Sequence, residues 1–190
     1  MTAHPISRYP VPDVNDLPDD LKQMMLGVQE KAGFIPNVFL TLAHRPEELR
    51  AFIAYHDALM EKDSGLTKAD REMIVVVTSS DNNCQYCVVA HGAILRIRAK
   101  HSTIADQVAA NYRKADITPR QMAMLDFALK VSQDAKSICD ADFETLHSHG
   151  FSNEDIWDIA GVTAFFGLSN RMANFTSMRP NDEFYMMGRK

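Results

Sequence analysis

From Asp19 onward, hydrophobic positions recur at helical spacing along almost the whole chain. Leu21, Met24, Met25 and Val28 lie three or four residues apart, on one helical face, and Gly33 stands where that helix must stop. Pro36 opens a shorter segment carrying Val38, Phe39 and Leu42. Pro46, followed by Glu47 and Glu48, marks another start, because proline fits the first helical turn and carboxylates favour the positive end of the helix dipole. Leu49, Phe52, Ile53, His56, Leu59 and Met60 then form one apolar stripe that runs out near Gly65.

Two later starts have the form of capping boxes, Thr118-Pro119-Arg120-Gln121 and Ser152-Asn153-Glu154-Asp155. Between them, Asp140 to His149 reads as a helix closed by Gly150. Residues 156–168 are apolar nearly all round, which predicts burial at the centre of the fold or in a subunit interface. Met73 to Thr78 is a β-branched run that propensity alone would make a strand. A helix-start signature, Thr67-Lys68-Ala69-Asp70, precedes it, and no other segment reads as a strand to pair with it, so a helix is expected. Leu66-Thr67 with Met73-Ile74 is echoed by Ile117-Thr118 with Met124-Leu125, a faint mark of a repeated helical unit. The pattern predicts an all-α fold, a compact bundle of many helices. Residues 1–18, with Pro5, Pro10, Pro12 and Pro18, read as an extended N-terminal arm suited to lying on a partner subunit, and residues 19–190 as a single helical domain.

Composition narrows the function. Hydrophobic residues make up 46% of 190 and charged residues 24%, enough for a sizeable core. A net charge of -5 argues against a nucleic-acid partner, which needs a basic stripe. The basic cluster Arg96 to Lys100 reads as a solvated last turn complementing the helix dipole. No stretch approaches the ~20 apolar residues that span a bilayer. The N-terminus lacks a basic-then-apolar leader pattern, so a cytoplasmic location is expected. No nucleotide-binding glycine pattern is present, and no cofactor or metal is assigned.

Three cysteines, two of them paired as C-x-x-C, read in a reducing compartment as catalytic or metal-binding. The pair sits in Asn82-Asn83-Cys84-Gln85-Tyr86-Cys87-Val88-Val89-Ala90-His91. Capping by Asn82 or Asn83 would put Cys84 and Cys87 in the first turn of a helix. At ~100° per residue, Cys84, Cys87 and His91 then share an arc of about 60°, while Tyr86 points away. A helix N-terminus stabilises a thiolate, an imidazole one turn on can accept the thiol proton, and the second cysteine can close a disulfide. Glu72, two turns before the end of the preceding helix on what would be an antiparallel neighbour, could orient His91, hold a water or act as terminal base. Cys139 reads as an inert buried or half-buried thiol, and the eleven methionines as core filling.

Leu66-Thr67-x-x-Asp70-Arg71-Glu72, followed by Asn83-Cys84-x-x-Cys87-x-x-x-His91, resembles the signature of the carboxymuconolactone decarboxylase superfamily, in its alkylhydroperoxidase D-like, peroxidase-related branch. Gly33-Phe34-Ile35-Pro36-Asn37, Gly150-Phe151-Ser152, Asn170-Arg171-Met172-Ala173 and Pro180-Asn181-Asp182-Glu183-Phe184 extend the likeness over nearly the whole chain. The resemblance implies an alkylhydroperoxidase D-like bundle assembled as a homo-oligomer, trimer or hexamer. It implies reduction of a small hydroperoxide, with the disulfide reopened by an external dithiol such as a lipoylated protein. Cys87 would be the attacking thiol, Cys84 the resolving one, and Glu72 with His91 the proton relay. One departure stands out: the family's well-studied pattern has a second histidine between the cysteines, where this chain has Tyr86, and a phenol is a poor shuttle at neutral pH. Two other readings stay open, a redox-switched binding or sensor module without sustained turnover, and a zinc-stabilised binding module.

Overall fold

The structure, a computed structural model, describes residues 5–189. Among these residues ten α-helices follow one another: α1 (Asp19–Ala32), α2 (Asn37–Leu42), α3 (Pro46–Met60), α4 (Lys68–Asp81), α5 (Gln85–Ala99), α6 (Ile104–Asn111), α7 (Pro119–Asp134), α8 (Asp140–Ser148), α9 (Asn153–Phe175) and α10 (Glu183–Met186). Single turns of 3-10 helix lie at Val14–Asp16, Tyr112–Lys114 and Ala135–Ser137, and there are no strands among the described residues. The all-α expectation is met. Gly33 and Gly150, which end α1 and α8, have φ of 85° and 79°, a conformation that glycine adopts without cost.

α4 is the axis of the bundle. It is buried without interruption from Asp70 to Ser79 and packs against α5, α6, α7 and α9. Its β-branched run is helical because its start is tied: Asp70 N donates to Thr67 Oγ1 at 3.1 Å while Thr67 N donates to Asp70 Oδ2 at 3.0 Å. Apolar neighbours on every side then compensate for the stiffness of Ile74, Val75, Val76 and Val77. A second box, Thr118 with Gln121, starts α7, and Gln121 Nε2 donates to Asp70 Oδ1 at 2.9 Å. The sequence echo thus corresponds to two helices that begin side by side, with Met73, Ile74, Met124 and Leu125 all in one core.

A buried ion pair locks this axis to α9. Arg71, with no exposed surface, donates to Leu59 O (2.7 Å), Ser64 Oγ (2.6 Å) and Asp158 Oδ2 (2.8 Å). Lys62 Nζ closes on the other oxygen, Asp158 Oδ1, at 2.7 Å. Burial pushes the Asp158 carboxyl upward, but the donors Lys62, Arg71 and Ser64 outweigh it and hold the group below its ordinary value. The connection from α3 to α4 is thereby pinned against α9. At Gly65 the backbone passes so close to Asp155 that a Cβ would sit 2.3 Å from Oδ1.

The apolar run 156–168 lies within α9 and divides into two faces. Ile156, Ile159, Val162 and Phe166 enter the core, whereas Trp157 is 74% exposed and Leu168 53%. No helix among the described residues is long and apolar enough to cross a membrane. The described part of the N-terminal arm lies on its own chain: Arg8 N donates to Thr176 O at 2.7 Å, and Arg179 N to Ile6 O at 3.0 Å. It is not extended throughout, since it includes the turn Val14–Asp16 and buries Leu17; residues 1–4 of the arm lie outside the described residues, as does Lys190 at the other end of the domain.

Asp158→Asn should lower the free energy of unfolding by about 3–5 kcal/mol, because it strands the Arg71 charge in the core. Urea unfolding at neutral pH measures this. Asp158 has a depressed folded-state pKa, so its stabilisation is complete at neutral pH and is lost as pH falls through that depressed value. The variant should therefore lose less stability than wild type on acidification, and parallel acid limbs would contradict the ion pair.

Candidate active site

The turn between α4 and α5 builds the site. Asn83 takes a left-handed backbone, φ 52°, which asparagine tolerates better than most residues. Cys84 N then donates to Ser79 O at 2.9 Å and Asn83 N to Ser80 O at 3.0 Å, the double closure of a Schellman motif. Because Asn82 and Asn83 are used to end α4, neither caps α5. Cys84 itself is the N-cap, and its Sγ accepts from Cys87 N at 3.4 Å. This corrects the expectation of an asparagine cap with Cys84 inside the first turn.

The correction changes the electrostatics. The Cys87 thiol donates to Cys84 and lowers its pKa below the ordinary value; burial opposes this, while the amides of Cys87 and Tyr86 and the Asn170 side chain assist. Cys87 is pushed well upward, first by giving its hydrogen to Cys84, then by burial and by the charge on Cys84. Of the two buried free thiols, Cys84 is therefore the more acidic. Cys87 Sγ also lies 3.9 Å from Ser169 Oγ. Asn170, buried on α9, holds the turn by donating to Ser79 Oγ (2.9 Å) and accepting from Asn82 Nδ2 (3.0 Å).

One turn further along α5, His91 Nδ1 meets Glu72 Oε2 at 2.8 Å. Both side chains are largely buried, and the His91 ring stands edge-on to Phe166 with centroids 4.7 Å apart. The structure thus brings together all four residues singled out in the sequence, Glu72, Cys84, Cys87 and His91. Among the described residues no hydrogen bond joins His91 to either sulfur, so proton transfer between them needs a bridging molecule. Tyr86 is turned away, as its helical position predicts: its hydroxyl accepts from Val38 N at 3.1 Å, and burial pushes the phenol well above its ordinary value. It staples α5 to α2 and cannot stand in for a relay histidine.

Three side chains differ from expectation. Arg96 is buried, not solvated, and donates from Nε to Met187 O and from Nη2 to Phe184 O, both at 2.9 Å. It thereby anchors the C-terminal segment, whose Phe184 meets Phe34 edge-on at 5.0 Å above the sulfurs. Arg98, from the same cluster, places Nε 3.8 Å from Glu72 Oε1 and so occupies the carboxylate oxygen that His91 leaves. Its sequence signal was available, since it follows His91 by two helical turns. Cys139 is exposed at the start of α8, far along the chain from the pair, and not buried or half-buried as expected.

The carboxymuconolactone decarboxylase family profile matches residues 46–130, a span that holds Glu72, both paired cysteines and His91. Among solved structures, the chain is similar to an uncharacterized peroxidase-related protein with an alkylhydroperoxidase AhpD core from Ralstonia eutropha JMP134, with 70% identity, 99% of each chain covered and a TM-score of 0.98. It is also similar to an uncharacterized peroxidase-related protein from Silicibacter sp. TM1040, with 42% identity over 100% of this chain and 99% of that one, TM-score 0.93. The debrominase Bmp8 shares the fold at 20% identity over 97% of this chain and 96% of that one, TM-score 0.74. No curated protein matches the sequence.

The ultraviolet absorbance of the thiolate tests this difference in acidity. Cys84 is lowered chiefly by the Cys87 thiol, so Cys87→Ala should move the remaining titration up, toward and beyond the free-thiol value of about 8.5. Cys84→Ala should leave a Cys87 thiol that ionises only at alkaline pH, and a low-titrating thiolate in that variant would reverse the assignment.

Proposed function

We propose that this chain, which belongs to the carboxymuconolactone decarboxylase superfamily and to its alkylhydroperoxidase D-like, peroxidase-related branch, is a thiol-dependent peroxidase that reduces small hydroperoxides through a Cys84–Cys87 dithiol–disulfide cycle. The observation that carries this reading is the placement of two buried free thiols at the start of α5, one helical turn from the Glu72–His91 pair. Cys84, the more acidic of the two thiols, ionises first. Transfer of the Cys87 proton to Cys84 frees a Cys87 thiolate, which attacks the outer oxygen of the hydroperoxide. The O–O bond breaks, Cys87 becomes a sulfenic acid, and the departing alkoxide takes a proton from His91, which Glu72 orients. Cys84, now holding the transferred proton, attacks the Cys87 sulfur and closes the disulfide. Its proton leaves with the hydroxide as water. Over the half-cycle, one thiolate, one thiol, one hydroperoxide and one proton give a disulfide, an alcohol and water.

An external dithiol, such as a lipoylated protein, supplies the two electrons that reopen the disulfide. The burial of both sulfurs supports a small peroxide in preference to a bulky one. It also makes cleavage of the disulfide, not the attack on peroxide, the step that must expose sulfur to a larger partner. The thiol count of reduced protein before and after one equivalent of hydrogen peroxide, with mass mapping of the Cys84–Cys87 peptide, is the direct test. Rapid loss of two thiols with a new intrapeptide disulfide is expected. Cys87→Ser and Cys84→Ser should both abolish turnover, and only Cys84→Ser should leave a trappable sulfenic acid. Equal residual turnover in the two variants would remove the reading, and the redox-switch alternative would then be judged by whether oxidation alters assembly or thermal stability.

Self-association belongs to the same proposal. The outer face of α9 exposes Trp157, Leu168 and Phe175, and beside it an apolar groove of about 690 Å³ opens toward α3 between Phe52, Tyr55 and Leu168. Light scattering should give a multiple of the 21.4 kDa chain, three or six on the family's pattern, and Leu168→Glu should reduce it. A monomeric wild type would refute this part.

A further inference from the structure

We propose that His56, on α3, is the second imidazole of this site, a positioning residue that acts through His91 by exchanging its proton with solvent. The inference rests on the peroxidase reading above. The position between the cysteines is occupied by Tyr86, whose hydroxyl is committed to Val38, so a second proton-handling group has to come from another element. His56 is placed to supply it. Its ring centroid lies 6.4 Å from that of His91, and both rings pack around Phe166, His91 at 4.7 Å and His56 at 6.4 Å. Phe165, 6.0 Å from His56, closes the other side.

The two histidines are built alike. His91 Nδ1 meets Glu72 Oε2 at 2.8 Å, and His56 Nδ1 meets Asp57 Oδ1 at 2.9 Å. In each, the carboxylate takes Nδ1 and leaves Nε2 for another partner. The two histidine–carboxylate pairs thus stand beside one another, and a water between their rings is the bridge this role requires. Side-chain exposure rises in one direction through them: Glu72 4%, His91 14%, His56 30%, Asp57 61%. Phe165 and Phe166 are buried and bar other approaches on that side, so the gradient runs from the core to solvent through imidazoles.

The reaction needs such a path. Each hydroperoxide cleavage draws one proton from His91 for the departing alkoxide, and His91, mostly buried with its Nδ1 tied to Glu72, must be recharged before the next. A proton taken from solvent by His56 and passed through the bridging water to His91 Nε2 does this with no change in net composition of the site. His56 touches neither sulfur in this scheme.

The test is single-turnover oxidation of the reduced dithiol by hydrogen peroxide, followed by thiol loss, in wild type, His56→Gln and His56→Ala. The expected slowing in both variants is about tenfold or more, at the lower end of the range for positioned acid–base groups. Melting temperatures should stay near that of wild type. Added imidazole should accelerate His56→Ala and leave wild type unchanged, which a purely structural role would not produce. Variants as fast as wild type, or a slow His56→Ala that imidazole fails to restore, would overturn the role of His56 alone. A wild type that does not react with peroxide would overturn the peroxidase reading and this inference with it.

Discussion

Three adjacent charged residues, Asp70, Arg71 and Glu72, sit on the first turns of a helix buried on all sides, and the rest of the molecule is arranged to satisfy them. Successive residues on a helix point about 100° apart, so one triplet addresses three neighbours. Asp70 closes the cap of its own helix and takes a hydrogen bond from Gln121 at the start of α7. Arg71 reaches the α3–α4 connection and Asp158 of α9. Glu72 faces α5 and takes His91 and Arg98. A buried charge without a partner is too costly to keep, so each member demands its neighbour in a fixed position. Glu72 can thus be held against His91 because Arg71, one residue back, fixes the rotation of α4.

The α4–α5 turn carries the second constraint. Cys84 closes the C-terminus of α4 with its amide and opens α5 with its sulfur, so one residue ends one helix and starts the next. A sulfur in a capping position meets the unpaired amides of the first turn, the environment in which a thiolate is stable. Cys87, one turn inward, is pushed up by giving its hydrogen to that sulfur and by its burial. The difference in acidity between two chemically identical thiols comes from a backbone turn, in which Asn83 adopts the left-handed conformation and Asn170 holds the turn to α9.

Local rules read much of this from the chain. The capping boxes at Thr67, Thr118 and Ser152 are where the spacing put them, and the Thr67 box correctly overruled the strand propensity of residues 73–78. Cys84, Cys87 and His91 stood out together because residue type and helical spacing agreed, and Glu72 joined them through the family resemblance. What escaped depended on distance in sequence. Arg71 finds Asp158 87 positions away, and the buried Arg96 finds carbonyls 88 and 91 positions away, so a basic cluster that looks solvated is partly a core anchor. The cap position was misplaced because a Schellman closure uses up the two asparagines, a competition that cap preferences alone cannot resolve. His56 was visible only as one member of an apolar stripe, since periodicity reports which face a residue takes and not what stands opposite. Cys139 shows the same limit in reverse: a free cysteine is most often buried, and here the chain brings it to the surface.

α5 carries most of the site on one rigid element. Over its length it presents the capping sulfur, the second sulfur, the imidazole, then Arg96 to the C-terminal segment and Arg98 to Glu72. These groups cannot move independently, so a displacement that uncovers the sulfurs by tilting α5 would also part His91 from Glu72. The residues packed with the sulfurs, Phe34, Met178 and Phe184, come from chain segments outside the α4–α5 pair; Arg96 holds two backbone carbonyls there, and Asn37 donates from N to Asn181 Oδ1 and from Nδ2 to Arg179 O. The buried charges of α4 and the turn that joins it to α5 thus hold both sulfurs, the imidazole and its carboxylate as one body, so that none of the four can be displaced without disturbing the packing of the other three.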